Sequence, residues 1–101
     1  MNEIALLRGA ETDSAEIYSR LADIHLLRAE EFDETLDAGL LQLVQQPRSA
    51  PPFLGLFHRL VLPRLPYAVF YTIESRRVVV HAILDTRQDP RVIRLRLGFG
   101  G

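Results

Sequence analysis

Apolar residues recur every three or four positions in the first half of the chain and at every second position in much of the second half. The first spacing places side chains along one face of a helix, and the second places them on one face of a strand. The pattern therefore predicts an α-helical hairpin over about residues 14–46, a mainly antiparallel sheet over about 56–85 and a tail over 89–101. This is an α+β fold, and we expect residues 1–101 to form a single domain.

Two helices are predicted within the hairpin. The first begins at Asp13 and Ser14, where a capping side chain precedes an early acidic residue. The second ends before Pro47, because proline cannot continue the helical hydrogen-bond ladder. Residues 23–27 fit either one long bent helix or a tight antiparallel hairpin, and the hairpin is favoured because about thirty residues must cover a small core. The apolar positions are Ile17, Tyr18, Leu21 and Ala22 in the first helix, and Ala29, Phe32, Leu36, Leu40 and Leu43 in the second.

Three strands are predicted in the sheet, at residues 56–62, 67–73 and 77–84. Residues 1–8 are expected to add an edge strand at the N-terminus, which gives a sheet of three to four strands. Residues 47–52 contain three prolines, so we expect them to form a loop between the hairpin and the sheet.

The last two predicted strands, at residues 67–73 and 77–84, are largely apolar on both faces. In the last strand, strict alternation groups Val78, Val80 and Ala82 on one face, with Val79 and Ile83 on the other. A sheet with two apolar faces needs a cover on each side. The helical hairpin supplies one cover, and the chain ends or a partner protein must supply the other.

The tail fits two different structures. Asp89 followed by Pro90 is typical of a helix start, with a capping side chain and a proline at the first helical position. Residues 94–97 alternate between arginine and leucine, which is equally typical of a strand. The sequence leaves both structures open.

Charge is distributed unevenly along the chain. Residues 1–46 carry three arginines and ten acidic residues, whereas residues 47–101 carry nine arginines and three acidic residues. The basic half is suited to a phosphate group or to an acidic partner. All 12 basic residues are arginine, a side chain that stays protonated at physiological pH and is therefore a poor proton acceptor.

Composition excludes several kinds of site. The chain has no cysteine, so it forms no disulfide, thiolate zinc site or thiol nucleophile. Its three histidines, His25, His58 and His81, are too scattered along the sequence to predict a metal site, and no cofactor is expected. The sequence contains neither a secretory signal nor a membrane span, so we expect a cytoplasmic protein without membrane contact.

The order of strand, two helices, proline-rich loop and three-stranded meander resembles the RelE/ParE superfamily, the toxins of type II toxin–antitoxin systems. The resemblance covers about residues 3–92. The segments that carry it, in the family's order, are residues 14–18 with Ala22, then 29–32, 43–47, 59–62, 65–71 and 79–90.

The resemblance implies a ParE-like toxin, also described as a plasmid stabilisation protein, that inhibits DNA gyrase and is neutralised by a cognate antitoxin. It also leaves two alternatives. One is a RelE-like, ribosome-dependent endoribonuclease that cleaves messenger RNA. The other is a non-toxic member that has kept only antitoxin binding. Direct sequence-specific binding to DNA is not expected in any of these cases.

Departures from the nuclease branch favour a gyrase-directed or chemically degenerate toxin over an enzyme. Tyr67 is followed by Ala68, where that branch usually has arginine. Asp85 stands where histidine is frequent, and Gln88 stands where a second arginine often follows Arg87. The tail also contains no tyrosine.

The candidate site residues fall into three groups. The catalytic candidates are Arg59, Arg87, Tyr71 and Asp85. Besides Tyr71 and Asp85, the residues that could accept a proton are His58, His81 and Glu74. The target-binding candidates are Arg59, Arg64, Arg87, Arg91 and Arg94. The antitoxin-binding candidates are Phe70, Val79, Ile83, Leu95 and Leu97. Arginine is prominent because a fixed positive charge stabilises an oxyanion or a bound phosphate without any proton transfer.

Overall fold

A computed structural model describes residues 3–100 of the chain, and this part contains five strands and three helices. In chain order the elements are β1 (Glu3–Leu6), α1 (Arg8–Ile24), α2 (Leu26–Gln45), β2 (Pro52–Leu54), β3 (Phe57–Val61), β4 (Tyr67–Glu74), β5 (Arg77–Asp85) and α3 (Pro90–Arg96). The strands form one sheet in the order β1-β5-β4-β3-β2. All neighbouring strands are antiparallel except β1, which runs parallel to β5. The α+β fold is confirmed, with more strands than predicted.

The predicted helical hairpin is present, and its connection is a single residue. His25 is extended, with φ −164° and ψ 120°, and this breaks the helix between α1 and α2. Its Nδ1 accepts a hydrogen bond from the Leu27 N–H at 3.2 Å, so His25 caps α2. The second helix ends at Gln45, ahead of Pro47 as predicted. None of the described helices is long and apolar enough to cross a membrane.

The predicted start of α1 is wrong, because the helix begins at Arg8 rather than at Asp13. The chain passes directly from β1 into α1, and the Leu7 carbonyl accepts hydrogen bonds from the N–H groups of Ala10 and Glu11 at 2.9 and 3.0 Å. Asp13 therefore lies in the second turn of α1 and does not cap the helix. Its carboxylate instead accepts a hydrogen bond from the Ile83 N–H at 3.0 Å and another from Arg96 at 2.7 Å.

The three predicted strands of the meander are confirmed within one residue at each end, and so is the edge position of β1. Met1 and Asn2, which belong to the predicted edge strand, lie outside the described residues. The short strand β2 was not predicted, because its sequence contains proline and follows a proline-rich segment. Proline lacks a backbone N–H, but an edge strand such as β2 tolerates this loss.

A β-bulge at His81 changes which side chains share a face. The pairing of β4 with β5 passes from Phe70 opposite Ala82 to Tyr71 opposite Val80, so His81 is an extra residue. After the bulge the alternation is reversed, and Ala82 lies on the face opposite to Val80. The predicted grouping of Val78, Val80 and Ala82 on one face is therefore wrong.

Each face of the sheet has its own apolar core. On the first face, α1 and α2 pack against the sheet; the buried residues there are Ala10, Ile17, Phe32, Leu36, Leu43, Ala50, Leu62, Tyr67, Val69, Tyr71, Val78, Val80 and Ile83. On the second face, α3 packs against the sheet, with a buried set of Phe57, Ala68, Phe70, Ala82, Leu84, Ile93 and Leu97 and with Phe99 beside it. The tail is therefore helical, and the chain itself provides much of the second cover. Asp89 caps α3 by accepting a hydrogen bond from the Arg91 N–H at 2.9 Å.

We expect Asp13→Ala to lower the free energy of unfolding by about 2 kcal/mol, because the buried Ile83 N–H loses its acceptor and Arg96 loses its carboxylate. Arg91→Ala is a matched control, since its ion pair has the same 2.7 Å N–O distance but is largely exposed. That variant should lose less than about 0.5 kcal/mol. Denaturant titration measures both values, and equal losses would contradict the role given to Asp13.

Candidate functional site

The second face of the sheet is exposed along its β2–β3 edge. There the guanidinium of Arg59 lies 4.5 Å from the centre of the Phe53 ring, which meets Phe70 edge-on with ring centres 5.4 Å apart. Val61, on the same face of β3, is 51% exposed, and Phe53 is 37% exposed. We call Phe53, Arg59 and Val61 the β2–β3 border. It combines exposed apolar area with a positive charge that is held in place by stacking on an aromatic ring.

The outer surface of α3 continues this character. Ile93 and Leu97 face the sheet, whereas Val92 and Leu95 are exposed. The guanidinium of Arg94 lies 6.0 Å from the centre of the Phe99 ring. The outer surface of α3 is therefore also apolar and basic.

The structure does not gather the five target-binding candidates into one cluster. Arg59 stacks on the Phe53 ring, and Arg94 lies 6.0 Å from the centre of the Phe99 ring. Arg87 and Arg91 each form an ion pair with the aspartate two residues earlier, both at 2.7 Å. Arg64 occupies the turn between β3 and β4, with a left-handed φ of 62°. Only Arg59 and Arg94 are thus fixed against the second face by aromatic contacts.

Two of the predicted proton acceptors lie on the wrong face for catalysis with Arg59. Tyr71 is fully buried in the first-face core, and its hydroxyl donates to the Pro47 carbonyl at 2.7 Å. Burial raises the pKa of Tyr71 above its ordinary value of 10. His58 stacks on Tyr71, and its Nδ1 lies 2.9 Å from the Ala50 carbonyl. Since a carbonyl only accepts, Nδ1 carries the proton, and both side chains have structural roles.

Asp85 is also poorly suited to accept a proton. Its carboxylate receives hydrogen bonds from the Arg87 side chain at 3.1 and 2.7 Å and from the Arg87 N–H at 2.8 Å. The side-chain hydrogen bonds are the main reason that the pKa of Asp85 lies below its ordinary value. Asp85 therefore stays ionised and hydrogen-bonded to Arg87.

A polar network on the second face joins three residues that sequence reasoning had not connected. The Thr72 hydroxyl donates to Glu74 Oε2 at 2.9 Å. The hydroxyl oxygen of Thr72 also lies 3.0 Å from His81 Nε2. Because a hydroxyl has one proton to donate, Nε2 must be the donor to Thr72. The His81 ring also meets Phe57 edge-on, with ring centres 4.8 Å apart. Alternation along β4 places Thr72 and Glu74 on one face, so the sequence could have linked these two residues. The face on which His81 lies could not be read in the same way, because it depends on the bulge in β5.

The predicted antitoxin-binding residues do not form one exposed surface. Phe70, Val79 and Leu97 are buried, and Leu95 is exposed on α3. Ile83 lies in the first-face core because the bulge at His81 moves it there, so its predicted place beside Val79 is wrong. The accessible apolar residues of the second face are instead Phe53, Val61, Val92 and Leu95.

Comparison with known proteins gives the family. A family model described as the ParE toxin of type II toxin–antitoxin systems, parDE, matches residues 4–90. The chain belongs to the ParE toxin family. The matched residues include every element from α1 to β5, whereas α3 lies almost entirely beyond them. The ParE-like toxin predicted from the sequence is therefore confirmed at the level of the family.

A solved structure supports the same fold for this ParE family member. The structure, titled as the chromosomal ParDE toxin–antitoxin system from P. aeruginosa, matches with a TM-score of 0.76 and 16% sequence identity. The match covers 86% of this chain and 98% of the other. A comparison with curated protein sequences finds no significant match.

In this ParE family member, we expect His81 to have a pKa below 6.5, the ordinary value for histidine, because burial disfavours the imidazolium. Between the lowered folded pKa and 6.5 the unfolded chain binds a proton that the folded chain has released. Stability should therefore rise with pH through this interval and fall as the pH drops through it. Titration of the His81 ring by NMR measures the pKa directly.

The variant Glu74→Gln tests the cause of the shift. The Glu74 carboxylate raises the pKa of His81, although burial has the larger effect. Removing this charge should lower the pKa further. A wild-type value at or above 6.5, or a higher value in Glu74→Gln, would contradict the interpretation.

Proposed function

We propose that this ParE family toxin acts in the cytoplasm as an inhibitor of DNA gyrase and is held inactive by a cognate antitoxin. The observation that carries the proposal is the family match over residues 4–90, taken with a β2–β3 border whose one charged group is an arginine. Arg59 supplies a fixed positive charge at the β2–β3 border. Arginine can bind a phosphate or a carboxylate firmly, but it does not accept a proton at physiological pH.

The distribution of proton acceptors argues against the alternative of an endoribonuclease. Cleavage of RNA through general acid–base catalysis needs a proton acceptor within reach of the reacting hydroxyl. Tyr71 and His58 lie in or against the first-face core, on the side of the sheet opposite to Arg59. Asp85 is hydrogen-bonded to Arg87, and both Glu74 and His81 Nε2 are hydrogen-bonded to Thr72. The geometry therefore favours inhibition through binding over catalysis.

The antitoxin is proposed to cover the β2–β3 border and the outer surface of α3. These surfaces expose apolar side chains beside arginines. An amphipathic segment with acidic residues matches them, because its apolar side buries Val61 and Leu95 while its carboxylates face Arg59 and Arg94. Charge complementarity of this kind increases association rate and specificity more than affinity. An antitoxin bound here would also occlude Arg59 from the target, which explains neutralisation without a change in the toxin's fold.

The cellular target is tested by inducing the chain without its antitoxin and examining both DNA and messenger RNA. The proposal predicts growth arrest with accumulated cleaved DNA, together with inhibition of purified gyrase by the purified chain. Arrest with truncated messages and intact DNA would instead identify a ribosome-dependent endoribonuclease. Absence of arrest at verified expression would identify a non-toxic antitoxin-binding protein.

We expect Arg59→Ala to weaken inhibition of gyrase by about tenfold, which corresponds to a loss of about 1.4 kcal/mol in binding. Arg76→Ala is the matched control, because Arg76 is an exposed arginine in the β4–β5 turn, away from the β2–β3 border. Arg59→Lys separates charge from stacking, since lysine keeps the charge and loses the planar guanidinium. Circular dichroism verifies folding. Equal inhibition by wild type and Arg59→Ala would rule out this position as the target-binding arginine.

A further inference from the structure

Two residues other than glycine have a left-handed backbone among residues 3–100, Arg64 with φ 62° and Ser75 with φ 57°. This conformation brings Cβ too close to the following carbonyl oxygen, so it is unfavourable for most side chains and is usually left to glycine. The two residues lie in the turns at opposite ends of β4, Arg64 before the strand and Ser75 after it. A long charged side chain at such a position indicates a role that glycine could not fill.

Arg64 occupies the third position of a tight turn. The Leu65 N–H donates to the Leu62 carbonyl at 3.5 Å, which closes the turn, and Pro63 stands in the second position. Proline in the second position and a positive φ in the third are characteristic of a type II turn, whose third residue is normally glycine or asparagine. The chain therefore has arginine where turn geometry alone favours glycine.

Backbone contacts hold this turn in place without the Arg64 side chain. The Leu62 N–H donates to the Tyr67 carbonyl at 2.9 Å. Thr86, just after β5, donates twice to the Pro66 carbonyl, from its N–H at 2.8 Å and from its hydroxyl at 3.2 Å. Among residues 3–100 the guanidinium of Arg64 has no ion pair or hydrogen bond. No polar contact of its own side chain within this part of the chain thus offsets the backbone strain.

The surroundings of Arg64 are exposed and largely apolar. Pro63 is exposed, and Val61, which belongs to the β2–β3 border, is 51% exposed. On the adjoining loop, Arg87 is paired with Asp85 and adds no free charge. A nucleic-acid backbone is bound by several basic side chains acting together, whereas an arginine among apolar side chains is typical of the centre of a protein–protein interface. This character favours a carboxylate on a protein over a phosphate.

We propose that Arg64 is a specificity-determining residue of the toxin, which binds a carboxylate on the protein target from a backbone that is fixed before the target arrives. Its guanidinium can donate two parallel hydrogen bonds to one carboxylate, while Val61 and Pro63 pack against apolar groups around that pair. Because the turn is already ordered, binding restricts only the side chain and loses less conformational entropy. The identity of the target as gyrase rests on the proposed function, whereas the place and chemistry of the contact rest on the turn.

The variant Arg64→Gly separates binding from stability, because it removes the guanidinium and the backbone strain together. We expect its folding equilibrium constant, measured by denaturant titration, to equal or exceed that of the wild type. Inhibition of purified gyrase should nevertheless weaken by about tenfold, as for an arginine at the centre of an interface. Arg64→Lys should give an intermediate value, because lysine keeps the charge but cannot form the paired hydrogen bonds.

Ser75→Gly is the matched control variant. Ser75 is also exposed and left-handed, but the eight residues of β4 separate it from Arg64, a length of about 26 Å. This variant should keep both the folding equilibrium constant and the inhibition of the wild type. Equal inhibition by Arg64→Gly and Ser75→Gly would overturn the proposal. A folding constant reduced about tenfold in Arg64→Gly alone would also overturn it, because it would show that the side chain stabilises the fold.

Growth arrest after induction without antitoxin distinguishes this contact from the identity of the target. Arg64→Gly should need more expressed chain than the wild type to arrest growth, whatever the target is. Equal arrest at equal expression would overturn the contact alone, whereas wild-type arrest without inhibition of gyrase would overturn gyrase alone. A wild type that causes no arrest would overturn both. Binding of the purified wild type to a DNA duplex that is lost in Arg64→Gly would identify a phosphate and overturn the protein carboxylate.

Discussion

The carboxylate of Asp13 connects three elements that are far apart in sequence. It accepts hydrogen bonds from the backbone of β5 and from Arg96 at the end of α3, while its own backbone lies in α1. The need for this contact arises from topology. Because β1 is short and leads at once into α1, no strand among residues 3–100 lies beside the end of β5 on that side. A buried N–H without an acceptor would destabilise the fold by about 1–3 kcal/mol, and Asp13 supplies the acceptor.

The position of α3 determines which surfaces remain open. Ile93 and Leu97 cover the central strands of the second face, and Arg96 ties the end of the helix to α1. Two accessible regions remain on either side. One is the β2–β3 border around Arg59, which we assign to the target and the antitoxin. The other is a groove of about 680 Å³ at the end of β5, which is lined by Arg20, Ile83 and Arg87.

Periodicity predicted the parts of the fold in which local pattern and tertiary packing agree. The spacing of Phe32 and Leu36 gave the buried face of α2, and Pro47 marked its end. Asp13 was misassigned because an aspartate in a helical turn and a capping aspartate look alike in sequence, and only a contact with a residue 70 positions away distinguishes them. The bulge at His81 was missed for a related reason, since its register depends on pairing with β4.

The candidate site was less predictable than the fold. Arg59 was identified as a charge, but its aromatic partner Phe53 lies on β2, a strand that the prolines concealed. Tyr71 was selected for its chemistry and is a core residue, because the strand's alternation places it under the helices rather than beside Arg59. Residue type indicates which chemistry is available, whereas the face of the sheet decides which residues can act together.

A double-mutant cycle between Asp13 and Arg96 tests the central claim, that one carboxylate ties α1 and α3 together beside the end of β5. The free energies of unfolding of Asp13→Ala, Arg96→Ala and the double variant are compared with that of the wild type. The account predicts a coupling energy of about 1–2 kcal/mol, as found for side chains in direct contact. Strictly additive losses, within about 0.3 kcal/mol, would show that the ion pair does not join the two helices energetically and would contradict the account.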